Sequence, residues 1–437
     1  MRTLAVVGGG VIGLSVAWRA AESGWTVTLF DPAIGSGASW VAGGMLAPLS
    51  EGWPGEDEVL EFGAAALARW PRFAADLRTR TGTDVFVADR TLTVALDSAD
   101  ATDLRTIADW VNTREVRGAE GEPLRLLNRA GVRELEPGLS RVVRAGLLAR
   151  TEPAVDNRLV VTALRAACAA AGVRFGSDRI VPCAGEEDHA DPAPAPPTRS
   201  LGDLPHDRIV LAAGAASAEL WPGLPVRPVK GEILRLRRRP SAPAAPVHVV
   251  RARVHGRPIY LVPRGDGIVL GATQYEAGFD TAVTVAGVRD LISDAETVFP
   301  GIGEYEFAEA IAGSRPGSPD NLPLIGYLDD RVIAATGHGR NGILGVPVTA
   351  DAVLALLEGE VLPEARAADP ARFGIPPSGG ATSPDGSDAA GRDSTAATGQ
   401  SSTAATGQSP TAAARQSSTA AARQSSTAAM FSPGGVR

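Results

Sequence analysis

Cysteine is almost missing from this chain: Cys168 and Cys183 are the only two in 437 residues, too few for a disulfide framework. Cys168 falls within the helical run Leu159 to Ala171, where a small buried residue is expected, and both thiols read as packing residues. Histidine is scarce as well. His189, His206, His248, His255 and His338 are scattered, and none has a second ligand at helical or turn spacing, which argues against a metal site. No apolar run reaches the roughly 18 to 20 residues of a membrane span. Positive charge is not in excess: 42 Lys and Arg against 50 Asp and Glu leave a formal charge of −8, which removes the electrostatic case for nucleic-acid binding. These absences point to a soluble, cytoplasmic chain, long enough for two domains and a well-buried core.

Glycine, by contrast, is placed with purpose at the start. Gly8, Gly10 and Gly13 form G-x-G-x-x-G directly after the apolar run Leu4 to Val7, and Asp31 follows a second apolar run, Val27 to Phe30. Val11, Leu14, Ala17, Trp18 and Ala21 recur at helical spacing, and Gly24 ends the helix. This is the pattern of a nucleotide-binding βαβ unit. Glycine at the first two positions lets backbone N–H groups approach a pyrophosphate, and the third lets helix and strand pack closely. Asp31 stands near the roughly 20-residue offset of a ribose-binding acid. Met1-Arg2 and the apolar residues after it could also open a secretory signal, but the glycines interrupt the run, and Arg19 and Glu22 close it without a small-residue cleavage pattern.

Further along, the patterns alternate in character. Helical and parallel-strand patterns dominate 1–84, 150–218 and 308–375, while the intervening 85–149 and 219–307 carry shorter, period-two or β-branched stretches: Val85 to Leu96, Ile233 to Leu236, Val247 to Val250 and Ile268 to Ala272. Two interleaved domains are expected, each assembled from separated segments. The polar, proline-rich stretch Gly185 to Pro205 reads as a surface-loop insertion. From 376 to 437 the composition turns to Ala, Ser, Thr, Gln and Gly, with a Thr-Ala-Ala core recurring every eight residues from Thr395 to Thr427. Such a segment cannot bury enough apolar surface to offset its ordering entropy, so a disordered tail is expected.

Four other segments have the composition of a site. Gly35 to Pro48 is dominated by small residues, which suits either a flexible loop or the close approach of a flat cofactor extending beyond the dinucleotide site. Gly337 to Leu344 follows a strand and precedes a helix opened by Pro347, either as an ordinary turn or as a helix N-terminus facing negative charge on a ligand. Arg315 lies in a loop stiffened by prolines and glycines, placed to capture a carboxylate or to be solvated like most lone arginines. Tyr260, alternating with apolar residues in Ile259 to Arg264, is a core residue or a hydroxyl turned into a pocket.

The ordered series GGGVIG with Asp31, GASWVAGGMLAP, PVKGE, PIYLVPR, GSRPGSPDNLPLIG and GHGRNGIL resembles the FAD-dependent D-amino acid oxidase superfamily, and within it the glycine oxidases of thiamine thiazole biosynthesis, over about residues 1 to 375. The resemblance implies an α/β fold: a Rossmann-like FAD-binding domain interleaved with an antiparallel-sheet α+β substrate domain. It puts FAD contacts at Gly8, Gly10, Val11, Ile12, Gly13, Asp31, Pro32, Ala38, Ser39, Gly43, Gly44, Met45 and Val181. The loop His338, Gly339, Arg340, Asn341, Gly342, Ile343 and Leu344 would add further contacts. Arg315 and Tyr260 would hold the substrate carboxylate, and Arg340 would receive the amino end through its backbone carbonyl. The implied reaction is oxidation of a small amino acid or amine to an imine by hydride transfer to flavin, with dioxygen restoring the cofactor as hydrogen peroxide forms. It requires no catalytic acid or base, because the protein orients the substrate. The resemblance also implies a homo-oligomer and a hand-off of the product to a thiazole-forming partner or to water. Relatives that tether FAD use a cysteine near the positions of Ser314 and Arg315 or an N-terminal histidine; here no cysteine follows Cys183 and the first histidine is His189, so FAD is expected to be noncovalent. Gln274 departs from the methionine of the best-known glycine oxidases, which leaves glycine, sarcosine and small D-amino acids all open as substrates. The alternatives are a quinone-linked D-amino acid dehydrogenase and a flavin-binding module without amine chemistry.

Overall fold

A computed structural model describes residues 1–114, 122–182 and 197–375. Cys183, most of the Gly185 to Pro205 insertion and the 376–437 tail lie outside the described residues.

Leu4 and Val6 point to one side of the first strand, Thr3–Val7, and Ala5 and Val7 to the other, all nearly inaccessible. A strand apolar on both faces belongs in the middle of a covered sheet. It lies there, in a six-stranded sheet ordered Leu324–Tyr327, Val332–Thr336, Arg208–Leu211, Thr3–Val7, Thr26–Phe30, Arg174–Gly176, parallel except for the pair Leu324–Tyr327 and Val332–Thr336. Helices Val11–Glu22, Asp57–Thr81, Asn157–Ala170 and Val346–Leu357 bury Leu14, Trp18, Trp70, Leu164 and Val353 on one face. Leu201, Leu204, Leu220 and Leu224 cover the other.

The second sheet has eight strands, ordered Glu306–Gly317, Arg227–Arg237, Gly267–Gly271, Arg257–Arg264, Val249–Val254, Thr91–Ala95, Ala145–Ala149, Leu124–Asn128. Period-two alternation divides its faces. Leu234, Leu236, Leu261, Ile268 and Leu270 pack against helix Val285–Val298, whereas Ile233, Val262 and Val269 face Val41 of the first sheet's connecting segment. The expected antiparallel order holds except where Thr91–Ala95 and Val249–Val254 run parallel, joining strands from two distant stretches of chain.

Two expectations change. Arg315, read as a loop residue, lies on the strand Glu306–Gly317, paired opposite Val229, because the ladder with Arg227–Arg237 continues through the glycines and proline around it. Within the stretch read as a surface loop, Thr198–Ser200 is a strand paired in parallel with Arg179–Val181, and Leu201 and Leu204 are buried. Backbone pairing and two leucines in the core anchor that end of the insertion. Among the described residues no helix is long and apolar enough to cross a membrane.

Candidate active site

The parallel strands end in a crevice where the chain passes to Thr26–Phe30 on one side of the first strand and to Arg208–Leu211 on the other, the kind of switch point at which α/β sheets bind ligands. Gly8 turns away from the strand at φ +109°, and a Cβ there would strike the Ala212 carbonyl. A Cβ at Gly13 would in turn strike the Gly8 carbonyl. These close approaches bring the start of helix Val11–Glu22 against the strand ends. Gly10 caps that helix with no side-chain hydrogen bond, and the Val11 N–H donates to Ser39 Oγ at 3.0 Å. Asp31 accepts from the Gly9 N–H at 2.6 Å and the Ala33 N–H at 2.7 Å, so its carboxylate shapes the turn as well as the wall.

From this crevice a cavity of about 890 Å³ runs between the two sheets. Gly8, Gly10, Val11, Ile12, Asp31, Pro32, Ala38, Ser39, Gly43, Gly44 and Met45 line one end. Tyr260, Arg315, His338, Gly339, Arg340, Asn341, Gly342 and Ile343 line the cavity as well. Three of the residues named from sequence do not reach the wall. Gly13 is spent on helix packing; Val181 pairs with Ser200 while Arg179 and Ile180 face the cavity; Leu344 is buried, its carbonyl accepting from Trp70 Nε1 at 2.9 Å.

Register places the polar wall. Thr93, Arg251, Tyr260, Gly271 and Ile233 are successive partners across five strands and all line or border the cavity. Gly43 and Gly271 both press on the Tyr260 ring more closely than a Cβ would permit. Burial pushes the Tyr260 phenol up, while Arg315 and Arg264 draw it back down in part, so the hydroxyl keeps its proton. The Arg315 guanidinium lies over Gly231, where any side chain would displace it, and its Nη1 donates to the Thr273 carbonyl at 3.3 Å.

Glu51 is the acid of this end. Its carboxylate bonds Arg251 Nη2 at 2.9 Å and Arg340 Nε at 2.6 Å. Burial would raise it, but Arg251 and Arg340, with Arg315 nearby, hold it below the ordinary carboxylate range. The Arg340 side chain is therefore committed to Glu51. Beneath Glu51, the buried Glu152 accepts from the Leu49 and Ser50 N–H groups and from Ser50 Oγ, and Ser50 Oγ in turn accepts from Arg251 Nη1 at 3.2 Å. His338 is neutral, because burial lowers it to about 3; its Nε2 meets Thr349 Oγ1 at 2.9 Å. At the helix Val346–Leu357, the Gly345 and Val346 N–H groups are already taken by the Asn341 and Ile343 carbonyls.

Sequence reasoning missed Glu51, Arg251, Glu152, Thr273 and the role of Gly231. Gly231 and Glu51 did carry a signal, a glycine inside a strand and an acid at the end of a small-residue run; Arg251 and Glu152 carried none.

A glycine-lined switch point opening into a chamber walled by a second sheet defines a dinucleotide-binding enzyme whose cofactor reaches beyond the nucleotide crevice. Residues 3–356 match the family described as FAD dependent oxidoreductase (DAO), and the chain belongs to that family. The residues present fit FAD: bare glycines at the strand ends and at the start of helix Val11–Glu22, with Asp31 beside them, open into a cavity that continues past Gly43 and Gly44 to Arg315. The chain is 32% identical over 374 residues to the bifunctional protein ThiO/ThiG of Synechocystis sp., covering 84% of this chain and 53% of that one. It is 32% identical over 366 residues to glycine oxidase of Geobacillus kaustophilus, covering 81% and 92%. The crystal structure of glycine oxidase from Geobacillus kaustophilus superposes with a TM-score of 0.72 at 28% identity, covering 84% and 98%. The chain thus spans about half the length of the bifunctional relatives it matches.

Proposed function

We propose that this chain oxidises glycine, or a comparably small N-methyl or D-amino acid, with dioxygen and water to glyoxylate (or the corresponding oxo acid), ammonia or amine, and hydrogen peroxide. Its pathway is the making of the thiamine thiazole. The observation that carries the reading is Arg315 laid over Gly231, beside the mostly buried Tyr260 hydroxyl, at the far end of the FAD cavity. A guanidinium and a protonated phenol are two donors for one carboxylate. Bound FAD supplies a two-electron acceptor that dioxygen can recharge. Around it the chain's residues bind and orient. Gly8, Gly10, Asp31, Ser39, Gly43 and Gly44 hold FAD without a covalent link, Arg315 and Tyr260 fix the carboxylate, and the Arg340 carbonyl receives the amine. Glu51 holds Arg340 and Arg251 in place, so the wall is preorganised rather than assembled on binding. The segments 1–84, 150–218 and 308–375 form the FAD-binding part, and 85–149 and 219–307 the substrate part. Fusion of the two names in the bifunctional relatives supports a thiazole synthase as the partner that takes the product.

The test is anaerobic addition of glycine to the purified yellow protein, followed by air and a peroxide assay. Bleaching and recovery with stoichiometric peroxide is the expected result. Bleaching without peroxide would make the chain a dehydrogenase with another acceptor, and flavin that never bleaches with glycine, sarcosine or D-alanine would end the reading. Because Gln274 lines the cavity where a methionine is usual, sarcosine is the informative competitor.

Arg315→Ala is expected to raise KM for glycine about ten- to 150-fold with kcat little changed, from loss of roughly 1.5 to 3 kcal/mol of charged hydrogen bonding. FAD should stay bound, since Arg315 is held by Thr273 and Gly231, not by the nucleotide crevice. A native KM in steady-state kinetics would take Arg315 out of the carboxylate role.

A further inference from the structure

PIYLVPR ends in an arginine to which the reaction above gives no task. Arg264 is buried, with 6% of its side chain exposed, yet it does not enter the cavity as a ligand-binding group. Its Nη2 donates to the Gly43 carbonyl at 3.0 Å, and its Nε lies 3.2 Å from Asp156 Oδ2. It has company. Asn157 Nδ2 donates to the Ser39 and Trp40 carbonyls at 2.9 and 2.8 Å, and Arg158 Nε reaches the Trp40 carbonyl at 3.3 Å. Three carbonyls of the small-residue run are thus held by side chains, two of them from the start of helix Asn157–Ala170, which Asp156 caps.

In a trans peptide the C=O and N–H point in opposite directions. With the Gly43 carbonyl turned to Arg264, the N–H of Gly44 in the same peptide points away from Arg264, and Gly44 lines the cavity. A cation bonded to the carbonyl polarises the peptide and strengthens that donor.

We propose that Arg264 is a positioning residue for the redox-active part of FAD: it fixes and polarises the Gly43–Gly44 peptide, so that the Gly44 N–H and the charge behind it favour the electron-rich, reduced cofactor. The inference rests on the reading that Gly43 and Gly44 contact FAD. Burial lowers the guanidinium only to about 10, so the charge is present throughout the working pH range.

The experiment is a redox titration of the FAD-loaded protein, with sulfite binding as a second readout of flavin electrophilicity, and no amino acid present. The double variant Asp156→Asn with Arg264→Met removes both charges while keeping a capping side chain at 156. It should bind FAD, show a lower midpoint potential, and bind sulfite about five- to tenfold more weakly. Arg264→Lys should recover most of the potential. Asp156→Asn alone, which leaves Arg264 uncompensated, should move the potential the opposite way, upward, and it carries the test if the methionine variant does not fold. An unchanged potential in Asp156→Asn, or a lysine variant displaced as far as the methionine variant, would overturn the role. Because glycine plays no part in these measurements, failure here leaves the bleaching test of the oxidase reading untouched, and failure there leaves this one standing for any flavin the cavity holds.

Discussion

Glu152→Gln is expected to be as stable as the native protein near pH 4 and more stable near pH 8, by about 3 kcal/mol. Glu152 is fully buried beneath the substrate end of the cavity, and burial raises its carboxyl from 4.5 to about 7 against the pull of the Ser50 and Leu49 donors and Arg251. In the unfolded chain it releases its proton near the ordinary value; in the folded protein it keeps it to about 7. Between those two pH values the folded state binds more protons, so stability falls as pH rises through the window. The contribution is complete below the unfolded value and is lost by about pH 7. Glutamine imitates the protonated acid: its oxygen can accept from the Leu49 and Ser50 N–H groups and its amide can donate to Ser50 Oγ, the partners Glu152 has now. Urea unfolding of both proteins at several pH values isolates the one residue from all other titrations. A constant difference between them across pH 5 to 8 would show that Glu152 is ionised in the folded state. KM should stay near native in the variant, because Ser50 keeps its bond to Arg251 and so the Glu51 cluster keeps its geometry.

What was legible in the sequence is what periodicity and local chemistry encode. Leu4 to Val7, apolar at every position, could only be a strand covered on both faces, and Val11 to Ala21 could only be a helix laid against it. Gly24, at φ +88°, closes that helix as a residue without a Cβ should. The small-residue run and the His338 loop were visible as places where a ligand could come close, and both line the cavity. What stayed hidden depends on partners far apart in the chain. Glu51 acquires its meaning from Arg251 and Arg340, and Glu152 from Leu49 and Ser50, about a hundred residues upstream. Nothing local distinguishes Glu152 from a surface acid. Gly231 reads as an isolated strand glycine until the neighbouring strand lays Arg315 over it. The parallel pairing of Thr91–Ala95 with Val249–Val254 is likewise a choice of register between segments that no alternation pattern specifies. Thr198–Ser200 was obscured by the proline-rich composition around it, yet backbone pairing with Arg179–Val181 needs no apolar side chain.

Gly8→Ala is expected to cost about 2 to 6 kcal/mol, against roughly 5 to 15 kcal/mol for the whole of a typical domain, and to yield protein that retains little FAD. Two penalties combine. At φ +109° an L side chain is strained by about 1 to 3 kcal/mol, and the new Cβ would also meet the Ala212 carbonyl, a backbone atom that can retreat only by moving its strand, for about another 1 to 3. Retreat has a consequence for the site. The Gly8 N–H donates to the Phe30 carbonyl at 2.9 Å and the Gly8 carbonyl packs on Gly13, so a displaced residue 8 drags both the second strand and the helix N-terminus that faces the cavity. Gly24→Ala separates the two penalties, because Gly24 has φ +88° and nothing within 4 Å of its missing Cβ. That variant should lose only the dihedral part, about 1 to 3 kcal/mol, and bind FAD as the native protein does. Denaturant unfolding of both variants without FAD, followed by FAD titration by flavin fluorescence, gives the difference. Equal losses at the two positions would mean that the first glycine of the fingerprint is required for its dihedral angle alone, and that close approach of the Ala212 strand end does not hold the crevice in shape.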